Sequence, residues 1–236
     1  SILPLVERCA GHHPDVAVFS EYRDTPAGKL LRERAHRIGL TEQAWTEGHR
    51  GNGVLVAART AFEGLRNPFG LLGDEYPDAL LLARFPSLDL FGAYLPGQDR
   101  KRPHLRCLIA AAQRYNQRDA DAICIGDFNS GRNETDIERN VLSRRLADEF
   151  STADLYAELE GQWTEAWLYK HPGELDYSWV PFRLDRNRRE GNGWRIDKAF
   201  VSRSLLPKVR SAEYDHGFRR ERLTDHSGLI VELDGV

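Results

Sequence analysis

The sequence predicts a layered fold of mixed class, α/β or α+β, in a chain of 236 residues. Three observations lead there. Short apolar runs of strand length alternate with amphipathic segments of helical period. Two neighbouring runs are separated only by Pro86-Ser87, as in a hairpin, whereas others are a helix's length apart. No run reaches the roughly 18 apolar residues of a membrane span, so strands and helices must bury their faces on one another.

The elements follow in order. Residues 3–11 carry Leu5, Val6 and Cys9 at helical spacing and close on Gly11. In "PDVAVFSEY" a Pro-Asp turn precedes a buried strand, 15–20, that ends at Glu21. Residues 27–38 set Leu30, Leu31, Ala35 and Ile38 on one helical face and stop at Gly39. "GVLVAA" (53–58) is another strand. "ALLLARF" and "LDLFGAYL" form the hairpin around Pro86-Ser87, and the second arm leads into Tyr94. A helical period runs through 101–118 with Leu105, Leu108, Ile109, Ala112 and Tyr115. Strand 122–126 then delivers Asp127 and Asn129, "IDKAFVS" opens with Asp197, and the last strand, "GLIVEL", follows Asp225 and His226. Residues 183–195, "RLDRNRREGNGWR", are the most polar stretch and read as a loop. No repeat or linker divides the chain, which reads as a single catalytic domain over 1–236.

Composition narrows the function. A net charge of −3 argues against a generally basic, nucleic-acid-coating protein but leaves room for a local basic face. Of the 33 cationic residues, 28 are Arg, which suits phosphate recognition but follows more simply from codon bias. The three cysteines, Cys9, Cys107 and Cys124, are far apart without CxxC spacing. They read as small hydrophobes of a reducing compartment, which predicts a cytoplasmic protein with no membrane association. No apolar signal segment follows Ser1, and the chain contains no methionine.

Polar residues recur where apolar strands end: Glu21, Tyr94, Asp127 with Asn129, Asp197, and Asp225 with His226. A single Asp at a strand end is usually a turn former. Five such ends, in a fold class that binds ligands at strand ends, point to one site. This set suits metal-assisted cleavage of a phosphate ester. Mg²⁺ takes few carboxylate ligands and keeps waters and substrate oxygens for the rest. Glu21 and Asp225 are candidate ligands. Asp127 can polarise a water, with Asn129 holding that water or a phosphate oxygen. Asp197 against the far ring nitrogen of His226 would keep the imidazole charged and able to stabilise an anionic transition state.

The motifs "FSEYR", "FGAYLPG", "IGDFNS", "WRIDKAFVS" and "LTDHSGLIVEL", in this order, resemble the endonuclease/exonuclease/phosphatase superfamily over essentially the whole chain. The resemblance implies a four-layer sandwich of two mixed β-sheets flanked by helices and Mg²⁺-dependent hydrolysis of phosphate esters, with Mn²⁺ as a substitute. It makes Glu21 the metal-binding residue of the family's "QE" motif, with Ser20 where Gln is usual. Tyr94 is similar to the Tyr that approaches the phosphate, and Asp127 and Asn129 to the "GDxN" pair. Asp197 matches the "RxD" aspartate, and Asp225 with His226 the closing "DH". "GNGWRIDKAF" is most similar to the exonuclease III and AP-endonuclease branch, where an Arg-bearing loop meets DNA. The family also begins with a strand ending in Asn. That strand is expected before Ser1, because deleting an inner strand would leave ladder groups unsatisfied.

The expectation is therefore a nuclease acting on DNA or RNA, with Arg183, Arg186, Arg188, Arg189, Arg195 and Trp194 as substrate contacts. A phosphatase or phosphodiesterase of small molecules or lipid headgroups is the second reading, and a silent binding module the third. His216, Arg219, Arg220 and Arg222 are secondary candidates at the site mouth. Asp136 and Glu138 read as helix-start charges, and His104 as a surface or capping residue. No protein partner can be inferred.

Overall fold

The apolar runs become strands of the computed structural model, which describes residues 2–47, 51–72, 75–132, 135–138, 150–181 and 193–236. In chain order the first half comprises α1 (Ile2–Gly11), β1 (Val16–Tyr22), α2 (Pro26–Arg37), β2 (Glu42–Trp45), β3 (Gly53–Ala58), β4 (Glu63–Arg66), β5 (Leu80–Arg84), β6 (Asp89–Tyr94) and α3 (Arg102–Arg118). The second comprises β7 (Ala122–Asp127), α4 (Ala153–Glu160), β8 (Thr164–Glu165), α5 (Ala166–Lys170), β9 (Asp197–Val201), β10 (Val209–Asp215), α6 (Gly217–Arg220) and β11 (Gly228–Leu233).

Six strands form one mixed sheet in the order β4-β5-β6-β7-β9-β8. The β5–β6 pair is the expected hairpin, closed by the Phe85 N–H on the Leu88 carbonyl at 2.9 Å. β6 and β7 are parallel, which requires a crossover, and α3 is that crossover. The facing layer consists of β1-β3-β2 and of β10-β11, each antiparallel. Val54, Val56, Leu81, Ala83, Leu90, Ile123, Ala199 and Ala212 fill the space between the layers. Gly92 permits the close approach, since a Cβ there would stand 2.9 Å from Val54 Cγ1. On the outer face of the large sheet α3 and α4 pack through Leu105, Leu108, Leu155 and Tyr156 onto Phe91, Cys124 and Phe200. On the other side Cys9, Ala35 and Ile38 cover Ala17 and Ala57. Helix, sheet, sheet and helix thus stack in the expected four layers. No helix among the described residues is long and apolar enough to cross a membrane.

The smaller layer, among the described residues, is antiparallel throughout and comes in two pieces. Its two antiparallel pieces end in the edge strands β1 and β11, and both line one slot of about 1230 Å³. β7 forms part of its floor through Ile123 and Ile125.

Buried charge is the second departure. Arg195, expected to contact substrate, is 1% exposed. Its guanidinium bonds Asp136 Oδ1 and Glu165 Oε2 and stacks over Trp167 at 5.0 Å. Asp136 is fully buried rather than a helix-start charge, and its other oxygen meets Lys198 Nζ at 3.0 Å. Burial alone would push the Asp136 carboxyl up, but Lys198 and Arg195 outweigh it and hold it low. His104 is also interior, with Nε2 on the Tyr76 carbonyl at 3.0 Å, and burial lowers its pKa. Breaking a buried pair by removing one partner leaves an uncompensated charge. Arg195→Ala is therefore expected to lose about 3–5 kcal/mol of stability in urea denaturation. A loss under about 1 kcal/mol, as for an exposed pair, would contradict the buried network.

Candidate active site

The central strand and its neighbours converge on Asp127. Its carboxylate is 2% exposed, and the ladder sets it opposite Tyr94 of β6 on one side and Asp197 of β9 on the other. Gly126 makes this possible: at φ +145° it lies in a conformation open to glycine, and a Cβ would stand 2.0 Å from the Ala93 carbonyl oxygen. Behind the strand end the chain turns back. The Asn129 N–H donates to Asp127 Oδ1 at 2.8 Å, and Asn129 sits at φ +45°, which Asn tolerates.

Asn129 differs from its sequence expectation. Both hydrogens of its amide are committed, to the Leu95 carbonyl (2.8 Å) and to Asp127 Oδ2 (3.1 Å). It fixes the Asp127 carboxylate. The turn does not continue the strand, so the alternation argument fails there.

His226 arrives from the turn before β11, in the other layer. Its Nδ1 lies 2.9 Å from Asp197 Oδ2. Burial would lower the imidazole pKa, but the charge and hydrogen bond of Asp197 outweigh it and hold His226 up at about 10. Asp127 moves the other way for an acid. Burial raises it, the like charge of Asp197 adds to this, His226 opposes, and the result is about 7.

Glu21 occupies a β-bulge: the β1–β3 register slips between Phe19 and Tyr22, and Glu21 has φ +59°. Bulges beside sites re-aim a side chain. Here the carboxylate accepts from the Tyr94 hydroxyl at 3.1 Å, while Asn52 donates to that hydroxyl at 3.3 Å. Burial, with Glu21 adding, pushes the Tyr94 phenol up to about 12, so it is a neutral donor. Glu21, Asp127, Asp197 and His226 all line the slot.

Asp225 lies one residue earlier on the same turn as His226, with Oδ2 accepting from Trp179 Nε1 at 3.0 Å. Segment 176–180 holds this turn and the start of β9 together. Ser178 Oγ accepts the N–H groups of Ile196 and Asp197 at 3.2 and 3.1 Å, and its carbonyl accepts that of Ser227. Ser20, Asn52 and Ser178 were not anticipated as site residues. Only Ser20, beside Glu21 in its motif, carried a signal in the sequence.

The chain matches the model of the endonuclease/exonuclease/phosphatase family over residues 1–226. It belongs to that family. Family members are phosphoric-ester hydrolases that generally use divalent metal ions, and this chain is such a hydrolase. Similar solved structures include an AP endonuclease from Archaeoglobus fulgidus (TM-score 0.78, 20% identity, covering 99% of this chain and 94% of that one). Another is a 3'-5' exonuclease from Neisseria meningitidis (TM-score 0.78, 20% identity, 98% and 94%). No curated protein matches the sequence at a significant level.

The family's divalent ion fits the donor set. Three carboxylates, Glu21, Asp127 and Asp197, face one slot with His226 as their cation, and the surplus negative charge contributes to the rise of Asp127. Among the described residues no group of three or more His, Cys, Asp or Glu is spaced to hold a metal by itself. An oxygen-only site for a largely hydrated ion needs no such cage. Of the expected substrate contacts, Arg183, Arg186, Arg188 and Arg189 lie outside the described residues. Trp194 packs edge-on against Trp179 (5.5 Å) and Phe150 (5.6 Å). Arg219 and Arg220 lie on α6, and Arg222 just beyond it at φ +58°.

Because the Asp127 pKa is raised on folding, the folded protein holds an extra proton between roughly pH 4 and 7. The destabilisation is complete above pH 7 and is relieved as pH falls through it. Asp127→Asn removes the buried charge. In EDTA at pH 8 this variant is expected to melt about 2–4 °C above wild type, roughly 1 kcal/mol, with the gap closing toward pH 5. A variant that melts lower at pH 8 would show that the charge is not costly where it stands.

Proposed function

We propose that the chain is a Mg²⁺-dependent nuclease that hydrolyses DNA or RNA phosphodiesters by in-line attack of an activated water. The observation that carries this reading is the divergence of two facing carboxylates. Asp197 is spent on His226, while Asp127 is held by Asn129 with a pKa near neutrality, which suits a general base. The AP-endonuclease and exonuclease folds named above favour a nucleic acid over a small ester.

In this reading Asp127 takes a proton from the attacking water as the new O–P bond forms. The bond from phosphorus to the leaving oxygen breaks in the same displacement, and the leaving oxygen takes its proton from solvent. His226, kept cationic by Asp197, stabilises the charge that gathers on the phosphoryl oxygens. Tyr94 keeps its proton, and its hydroxyl, accepting from Asn52 and donating to Glu21, holds the Glu21 carboxylate in place at the site. Glu21, with Asp127 and Asp197 beside it in the slot, would hold the ion, which when bound would neutralise phosphate charge. Asp225 is not among the residues lining the slot and accepts from Trp179.

Hydrolysis of duplex DNA with an abasic site and of bis-p-nitrophenyl phosphate, each with Mg²⁺ and with EDTA, tests the proposal. Cleavage of the DNA that is abolished by EDTA is expected. Asp127→Asn should lower turnover by about 100- to 10,000-fold, the usual contribution of a general base. Turnover of the small diester without nucleic-acid cleavage would move the assignment to the small-molecule phosphodiesterases. Undiminished turnover in Asp127→Asn would remove Asp127 as the base.

A further inference from the structure

Behind the turn that carries Asp225 and His226 stands a second histidine in a polar chain of its own. His216, at the start of α6, places Nε2 3.0 Å from Asp176 Oδ2 and Nδ1 2.8 Å from Ser227 Oγ. The set Asp, His and Ser invites comparison with an acyl-transfer triad, but the ring is turned the wrong way. In such a triad the carboxylate holds Nδ1 and the hydroxyl meets Nε2. Ser227 is also 5% exposed, with its N–H on the Ser178 carbonyl and its Oγ against His216 Nδ1. The arrangement is a link, not a nucleophile.

What it links gives it a purpose. Asp176 and Ser178 belong to the segment that carries the N–H acceptor for Asp197 and, through Trp179, the donor to Asp225. The Val180 N–H also reaches the Asp225 carbonyl at 3.2 Å. Ser227 adjoins His226. His216 therefore joins, from outside the slot, the two backbone segments whose separation sets the Asp197–His226 contact. We propose that His216, bridging Asp176 and Ser227, is a positioning residue that keeps the His226 imidazole on Asp197. This inference rests on the hydrolase reading only for its kinetic consequence; the geometric claim stands apart from it.

Loss of such an outer partner of a reacting group typically lowers activity about 10- to 100-fold. His216→Ala is expected to reduce kcat on bis-p-nitrophenyl phosphate by that factor, with KM within about two-fold of wild type and the thermal midpoint little changed. His216→Asn, which still reaches Ser227, should recover part of the loss. Residues acting as one unit do not add, so Ser227→Ala should have little further effect in the His216→Ala background. Imidazole NMR gives a readout independent of turnover: the His226 Nδ1–H proton, held on Asp197, should give a downfield resonance in wild type that broadens or vanishes in His216→Ala. An unchanged resonance, an unchanged kcat, full additivity with Ser227→Ala, or a kcat loss that follows the melting temperature would each overturn the proposal. Should His216→Ala not fold, Asp176→Asn, which keeps shape and removes the charge, is read by the same resonance with the same two outcomes. A silent wild type with an intact, His216-dependent resonance would sink the hydrolase reading and leave the positioning role standing.

Discussion

Two carboxylates facing each other across a ladder set the terms for this site. Asp127 and Asp197 are register partners on adjacent strands, where like charges destabilise a sheet. The protein answers with a cation from another layer: His226 takes Asp197 and leaves Asp127 to its own turn. That division separates the two carboxylates chemically, one held against the His226 imidazole, the other poised near neutrality. It also makes the fold's layering obligatory. His226 precedes β11, so the chemistry exists only while the β10–β11 pair stays docked on the large sheet.

Backbone strain gathers at the same place. Glu21 and Asn129 both hold positive φ without being glycine, a conformation that persists only when its surroundings over-determine it. Those surroundings can be named. Asn129 is tied to Leu95 and Asp127, and its carbonyl is gripped by the buried Lys101. Next to the strand that begins at Asp197, Arg195 and Lys198 anchor Asp136 and Glu165 in the interior. A site built of a buried carboxylate and strained residues is costly by itself and depends on such supports.

How much of this was legible in the sequence depended on which force wrote it. Apolar runs such as 53–58 and 122–126 announced inner strands because burial on both faces demands them. β2, β4 and β10 escaped notice because they lie at sheet edges or half in solvent, where Glu, Gln and Arg are tolerated and the pattern dissolves. The polar residues picked out at strand ends are brought together by the fold: Tyr94 and Asp197 flank Asp127 on the ladder, and His226 meets Asp197. Arg195 shows the limit. In "NRREGNGWR" it is one more cation of a polar stretch, and nothing local tells that Asp136, 59 residues away, will draw it inside. Asn129 fails for a different reason: period-two alternation assumes an extended chain, and the chain turns at Asn129.

Ser20 shows how a departure from the family's pattern can be accommodated. Gln is usual there, and a hydroxyl is too short to do what a long amide does. In this chain the hydroxyl acts between layers: Oγ donates to the Ala93 carbonyl at 2.9 Å and accepts the Asp127 N–H at 3.3 Å. One short side chain from β1 thus touches β6 and β7 at their ends. Short contacts are stiff, and this one sits next to the bulge that aims Glu21. The candidate metal-binding carboxylate and the candidate base are therefore tied through a single residue, so their separation depends on the spacing of the two layers and not on any loop.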